Sequence, residues 1–342
     1  FDQNAFISGM SHDTWNALIS DPSHPLENKA IQAEYPPAST YKIVVAAAGL
    51  EEGIIDENTS FFCPGFLRFG NRTYRCWKKW GHGEVDVLKA LTESCDVYFY
   101  KVGLELGVDR LAWYANAFGL GEPTGVDLDH EEGGLVPTAQ WKKKRVGVSW
   151  QKGETLSVAI GQGFNLATPL QMAMVAASVG NGGVRYRPMI VKTIRTADGQ
   201  TMYESVSEVA GRLPISEKNL WLVREGLFKA VNDRHGTAWR SRLEGMGMSG
   251  KTGTAQVAGR RDDAANGDDD DWGSIKDHAW FVAYAPRENP RIAVAVIVEH
   301  GEHGSSAAAP VAAEMIRFYL SGGQPKPDTP MAVAPASSAD GD

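Results

Sequence analysis

Ser39 and Lys42 stand three residues apart in Ser39-Thr40-Tyr41-Lys42, a spacing that puts both on one face of a helix. A serine hydroxyl is a poor nucleophile until a nearby base takes its proton. A lysine becomes that base when burial or a second cation depresses its pKa. Downstream, Ser94-Cys95-Asp96 offers a hydroxyl and an acceptor that could relay a proton, and Lys251-Thr252-Gly253 offers the second cation. In this order the segments spell S-x-x-K, S-x-D and K-T-G, a set suited to acyl transfer through a serine ester. Each is weak alone. Ser149-Trp150-Gln151-Lys152 repeats the first pattern, and Ser11-His12-Asp13 and Ser338-Ala339-Asp340 repeat the second. Order and context select Ser39, Ser94 and Lys251, with helical sequence after the first and strand-like sequence around the third.

The same lysine fits a competing pattern. Gly245–Thr252 reads GMGMSGKT and matches the phosphate-binding loop G-x-x-x-x-G-K-[ST] at every fixed position, which would make the chain a P-loop NTPase. Such a loop must follow a buried strand and open a helix, whose N-terminus holds the phosphate. Trp239–Glu244 is no buried strand, and Gly253-Thr254-Ala255-Gln256-Val257 favours strand over helix.

The elements that must position these residues follow from periodicity. Ser39–Gly53, Val85–Val108, Val108–Gly119, Pro169–Gly180 and Ser216–Asp233 read as helices, the last with Ser216 as N-cap. Met246–Ala258, His278–Ala285 and Arg291–Glu299 read as strands, the last two joined by a turn with Pro286 and Pro290, and a closing helix begins near Pro310. Helices in the middle and hairpin-linked strands late predict an α+β fold with an antiparallel sheet flanked by helices. The expected domain spans 1–321, with 43–235 a mostly helical lobe and 322–342 a disordered tail.

Charge says little about the substrate. The net charge of −8 argues against a nucleic-acid footprint. Half of it sits in Arg260–Asp271, expected to be a solvated loop tip, and more in the tail. Apolar runs such as Ile43–Leu50 and Ile292–Val298 are far too short to span a bilayer.

Five stretches carry a resemblance. Tyr35–Lys42 (YPPASTYK), Arg75–Gly83 (RCWKKWGHG), Glu93–Tyr100 (ESCDVYFY), Ile160–Gly163 (IGQG) with Thr168-Pro169, and Lys251–Gln256 (KTGTAQ) resemble the penicillin-binding protein 2 family, the class B peptidoglycan D,D-transpeptidases of cell-wall elongation. The resemblance implies the penicillin-binding transpeptidase (serine β-lactamase-like) fold, and an acyl-enzyme on Ser39 with Lys42 as base. It implies that Ser94 returns a proton to the leaving D-Ala, with Asp96 where many relatives carry Asn. Lys251, Thr252 and Gly253 would bind the substrate carboxylate, and backbone N–H groups of Ser39 and Thr254 would form the oxyanion hole. β-Lactam antibiotics would acylate Ser39. It also implies a periplasmic location at the inner membrane, a membrane helix, a pedestal domain and the first sheet strands upstream of Phe1, and a SEDS-type glycosyltransferase and an elongasome scaffold as partners. A β-lactam sensor and a D,D-carboxypeptidase share the same residues. A β-lactamase would need an E-x-x-L-N pattern, which this sequence lacks.

Cys63, Cys76 and Cys95 are the three cysteines, an odd number. One disulfide and one free thiol is one reading. The family resemblance supplies another, since some members bind a structural zinc near the active site at positions that correspond to Cys63, Cys76, His82 and Cys95. Cys95, between Ser94 and Asp96, would then point behind the cleft and brace the Ser94 loop. His300-Gly301-Glu302-His303 also looks ligand-like but reads as a polar turn.

Overall fold

The computed structural model describes residues 2–257 and 276–323. The acidic run at 260–271 lies outside the described residues, as does the tail from 324 onward, so the loop-tip and disordered-tail expectations fall there.

The main sheet is antiparallel, in the order β3-β2-β1, with β1 at Ser249–Ala255, β2 at His278–Ala285 and β3 at Ile292–Val298. β2 is almost entirely apolar because it is covered on both faces. Side chains alternate across a strand. Trp280, Val282 and Tyr284 therefore join a large helical core, while Ala279, Phe281, Ala283 and Ala285 join a second cluster. In the β1–β2 register Lys251 lies opposite Val282 and Gly253 opposite Trp280. Residues directly opposite share a face, so Lys251 and Gly253 project toward the helical core. β1 continues through Ala255, so no helix follows Lys251 and the nucleotide-binding reading loses the helix terminus that a phosphate needs.

On that side, helix α1 (Lys42–Glu51) is the central pillar. Its sequence is apolar all round, and every residue from Lys42 to Leu50 is buried. The single helix expected over 39–53 divides into a 3₁₀ turn at Ala38–Tyr41 followed by α1. The single helix expected over 85–108 also divides, into α2 (Val87–Thr92) and α3 (Asp96–Leu106). At the break the Cys95 N–H donates to the Ala90 carbonyl and Ser94 has φ +58°. This is a Schellman-type helix end with Ser where Gly is usual. No glycine marked it in the sequence, so the apolar period ran through unbroken.

Helices α4 (Val108–Ala117), α5 (Pro169–Gly180) and α6 (Glu217–Asn232) match the expected segments, and α7 (Ala309–Leu320) closes the chain's described part. Ser216 sits at the start of α6, but its N–H and hydroxyl donate to Glu51 at 2.9 and 3.0 Å instead of capping the helix. Four helices, Ala5–Ser8, His12–Ser20, Ala139–Val146 and Lys152–Ala159, and four two-stranded sheets among the described residues were not anticipated. No helix among the described residues is long and apolar enough to cross a membrane.

One close approach ties the helical side to the Ser39 turn. Gly161 accepts from the Ala38 N–H at 2.9 Å. A Cβ on Gly161 would stand 2.1 Å from the Ala38 carbonyl oxygen and 2.7 Å from the Tyr41 Cβ, at φ +73°. Backbone cannot give way as a flexible side chain can. Gly161→Ala is expected to cost about 2–4 kcal/mol of stability. Thermal unfolding by calorimetry checks this, as a Tm drop of several degrees.

Candidate active site

Ser39 sits in the 3₁₀ turn behind Pro36-Pro37, half-buried, one residue after Ala38 at φ +51°. Left-handed backbone is unfavourable for a residue with a Cβ by about 1 kcal/mol or more. Here the Ala38–Gly161 bond and a hydrogen bond from the Thr40 hydroxyl to the Pro37 carbonyl hold it. Gly253 of β1 runs against the same turn, where a Cβ would stand 3.1 Å from Thr40 Cγ2 and 3.3 Å from the Pro37 oxygen. Gln162 Nε2 donates to the Thr254 carbonyl at 3.2 Å, tying the end of β1 to the loop after Gly161. Ser39 thus lies where the KTG strand, the Ile160–Gly163 loop and α1 converge.

Lys42 is wholly buried, one turn along from Ser39. Its Nζ donates to Asp96 Oδ1 at 2.6 Å, to the Ser94 carbonyl at 3.0 Å and to Ser94 Oγ at 3.2 Å, and it lies 5.5 Å from the centre of the Phe99 ring. An ammonium group taken from water costs several kcal/mol unless such partners compensate it. The helix break explains why they are available: Ser94 in the left-handed region and Asp96 at the first turn of α3 both face Lys42. Asp96 is nearly buried, and burial pushes its carboxyl above the ordinary range against the opposing pull of Lys42.

Lys251 is also wholly buried, and its Nζ donates to the Thr252 carbonyl at 3.1 Å. Burial, then the charge of Lys42, holds it well below the ordinary lysine range, with Asp96 pulling the other way. Thr252 Oγ1 exchanges a 2.8 Å hydrogen bond with Thr237 Oγ1. Ser39, Lys42, Ser94, Asp96, Lys251, Thr252, Gly253 and Thr254 therefore border one locality, reached from three separate parts of the chain.

Behind it, Cys63, Cys76, His82 and Cys95 are all buried, and their ligand atoms lie within 4.8 Å of one another. All three cysteines are free, so the pairing into one disulfide and one thiol is not the arrangement found. His82 Nδ1 stands 3.5 Å from Cys76 Sγ and 3.6 Å from Cys63 Sγ. A tetrahedral site with bonds of about 2.3 Å to sulfur and 2.0 Å to nitrogen has S···N edges of about 3.5 Å, so the cluster has the dimensions of such a site. Contact between the Cys76 and Cys95 thiols, aided by His82, holds Cys76 well below the ordinary thiol range and pushes Cys95 above it. Such a divided pair suits two sulfurs competing for one proton, and a cation among them would favour the thiolates. His82 Nε2 is buried with no hydrogen-bond partner, and the nearest carboxylate oxygen, Glu93 Oε2, is 3.9 Å away.

Three residues bordering the site were not assigned a role from sequence. Trp77 donates its backbone N–H to Asp96 Oδ2 at 2.9 Å and its indole N–H to the Ser94 and Glu93 carbonyls. Thr237 lies in a turn with no distinguishing pattern. Gln162 lies in the quoted Ile160–Gly163 stretch, but nothing in that stretch said that its amide reaches β1. His300 packs against His278 at the far end of the β2–β3 hairpin, and His303 belongs to the polar turn beyond it, outside the cysteine cluster.

Comparison with known proteins agrees with this architecture. The family described as "Penicillin binding protein transpeptidase domain" matches residues 1–317. The chain is 38% identical over 331 residues to "Peptidoglycan D,D-transpeptidase MrdA" of Haemophilus influenzae, covering 94% of this chain and 50% of that protein. It is 37% identical over 310 residues to the protein of the same name in Escherichia coli K12, covering 89% and 48%. The chain thus spans about half the length of the curated relatives it matches. Among solved structures, Pseudomonas aeruginosa PBP2 in complex with WCK 5153 aligns with a TM-score of 0.80 at 35% identity, covering 94% of this chain and 66% of that one. The complex between PBP2 and MreC from Helicobacter pylori aligns at 0.79 and 36%, covering 94% and 56%. With a buried lysine between S-x-D and K-T-G segments and a family match along nearly its whole described length, this chain belongs to the penicillin-binding protein transpeptidase domain family.

Proposed function

We propose that the chain is a serine D,D-transpeptidase that cross-links peptidoglycan stem peptides through an acyl-enzyme on Ser39, and that β-lactams acylate the same serine. The observation that carries this reading is Lys42, buried one turn from Ser39 and held by Ser94 and Asp96. In this reading Lys42 is the base, and Ser94 and Asp96 fix its amine one helical turn from Ser39. That amine takes the Ser39 proton as Oγ attacks the carbonyl of the penultimate D-Ala. Ser94 then passes a proton to the departing D-Ala amine. A neighbouring strand's amine attacks the ester, the peptide bond forms, and Ser39 recovers its proton. Backbone N–H groups of Ser39 and Thr254 would stabilise the oxyanion, commonly the largest catalytic contribution. Location on the periplasmic face of the inner membrane, and a SEDS-type glycosyltransferase and elongasome scaffold as partners, belong to the same reading. The Helicobacter pylori PBP2–MreC complex supports the scaffold.

Intact-mass measurement after benzylpenicillin treatment tests the nucleophile. One stable adduct per chain is expected, absent in Ser39→Ala. Rapid loss of the adduct would favour a β-lactamase, and an adduct surviving Ser39→Ala would remove the assignment.

Lys251 gives a pH prediction. Burial and the charge of Lys42 hold Lys251 below the ordinary lysine range, and a substrate carboxylate beside it favours its charged form. Binding a peptide ending in D-Ala–D-Ala is therefore expected to take up protons, and affinity to fall as pH rises. Calorimetry in buffers of different ionisation enthalpy measures the uptake. Zero uptake across the alkaline range would contradict this role. Lys251→Ala is expected to reduce acylation by about 10²–10³-fold, the range for losing a key electrostatic group.

For the cysteine cluster, the reading is a structural zinc held by Cys63, Cys76, His82 and Cys95. Three sulfurs and one nitrogen, all from buried residues, would complete a four-coordinate closed site, which supplies rigidity and not a reactive position. Cys95 bridges the cluster to Ser94 and Asp96. Cys95→Ala is expected to lower zinc content and acylation rate together, read by native mass spectrometry and penicillin labelling. Full acylation by a metal-free Cys95→Ala protein would sink the bracing role.

A further inference from the structure

Trp77 is placed unlike an ordinary exposed aromatic. It is 60% exposed, yet both of its N–H groups are directed inward. The backbone N–H holds the Asp96 oxygen that Lys42 does not hold: Lys42 takes Oδ1 and Trp77 takes Oδ2. The indole N–H is shared between the Glu93 carbonyl at 3.0 Å and the Ser94 carbonyl at 3.1 Å, the two residues of the helix break. Ser94 is the residue in left-handed backbone, and its carbonyl accepts from Trp77 Nε1 and Lys42 Nζ. The chain neighbour of Trp77 is Cys76 of the cysteine cluster, and the indole stands edge-on to the His82 ring at 5.5 Å.

We propose that Trp77 is a positioning residue for the catalytic turn: its indole N–H clamps the strained Ser94 carbonyl, and its backbone N–H orients Asp96, so that Ser94 Oγ and the Lys42–Asp96 pair meet Ser39 in register. The assignment rests on the transpeptidase reading above. A surface indole serving only as a cover would not need its N–H on a left-handed turn. Losing this donor leaves Ser94 free to relax toward a more ordinary backbone conformation, which moves its hydroxyl and the carbonyl that Lys42 uses. The backbone N–H to Asp96 survives any side-chain change at 77, so the effect of the indole can be isolated.

The test replaces Trp77 in the zinc-loaded protein with 3-benzothienylalanine, which keeps the ring shape and exchanges N–H for sulfur, and separately with 5-fluorotryptophan, which keeps the N–H. Trp77→Phe serves as a third variant. Stopped-flow benzylpenicillin acylation separates the non-covalent dissociation constant from the acylation rate constant, and native mass spectrometry counts zinc. The expected result is an acylation rate constant lowered about five- to tenfold in the benzothienyl and Phe proteins, the worth of one hydrogen bond felt in the chemical step. The dissociation constant and zinc count stay native, and the fluorotryptophan protein acylates at the native rate. Native acylation by the benzothienyl protein would overturn the assignment, as would a loss shared by the fluorotryptophan protein or one that merely tracks lost zinc. Failure of the unmodified protein to acylate at Ser39 would instead overturn the transpeptidase reading, and the Trp77 assignment with it.

Discussion

The site depends on keeping one ammonium out of water. Lys42 is the first residue of a helix whose next eight residues are buried, so its charge has no route to solvent and must be satisfied inside. Its donors go to Asp96 and to the carbonyl and hydroxyl of Ser94. Those acceptors exist only because the chain breaks helix at Ser94, a left-handed residue that is costly for serine. Removing one partner of such a buried pair leaves an uncompensated charge, which is why truncation here would be far more disruptive than loss of a surface ion pair.

Charge then organises the second lysine. Two buried cations near one carboxylate cannot both be fully charged without cost. Asp96 is claimed by Lys42 at 2.6 Å, and Lys251 is left with its own strand's Thr252 carbonyl. Lys251 is therefore the group whose charge a bound carboxylate can restore. Strand register puts it on the helical side of the sheet opposite Val282, the side on which Gly253 runs against the Ser39 turn. In the transpeptidase reading, β1 is the strand of this sheet that supplies side chains to the site. The sheet's task is to hold that strand against the turn, which the burial of β2 on both faces accomplishes.

Much of this was legible in the sequence, for physical reasons that differ by residue. β2 and β3 showed as short apolar runs between turn residues, β1 showed as a Gly- and Thr-rich stretch that disfavours helix, and Ser39, Ser94 and Lys251 showed as an ordered set of chemical types. The α2–α3 break did not, because helix period persists through Glu93-Ser94-Cys95 and the left-handed position is a serine. The short sheets and the polar helix at Ala139–Val146 lack the apolar period that flags an element. Trp77 was visible as a letter but not as a donor, since nothing local says that a tryptophan following a cysteine will reach a carbonyl seventeen residues away. The four-residue cluster of Cys63, Cys76, His82 and Cys95 spans spacings that match no finger pattern, and it became a unit only when the fold brought the residues together.

The central claim is that Lys42, held by Ser94 and Asp96, activates Ser39 for acyl transfer to an amine. The most direct measurement is turnover of a stem peptide ending in D-Ala–D-Ala in the presence of an amine-bearing acceptor peptide. Free D-Ala and cross-linked dimer are followed by mass spectrometry in the native protein and in Lys42→Met, which keeps the side chain's bulk without its charge. The expected result is one D-Ala released per cross-link in the native protein and no dimer in the variant. D-Ala release without any dimer, or cross-linking that persists in Lys42→Met, would contradict it.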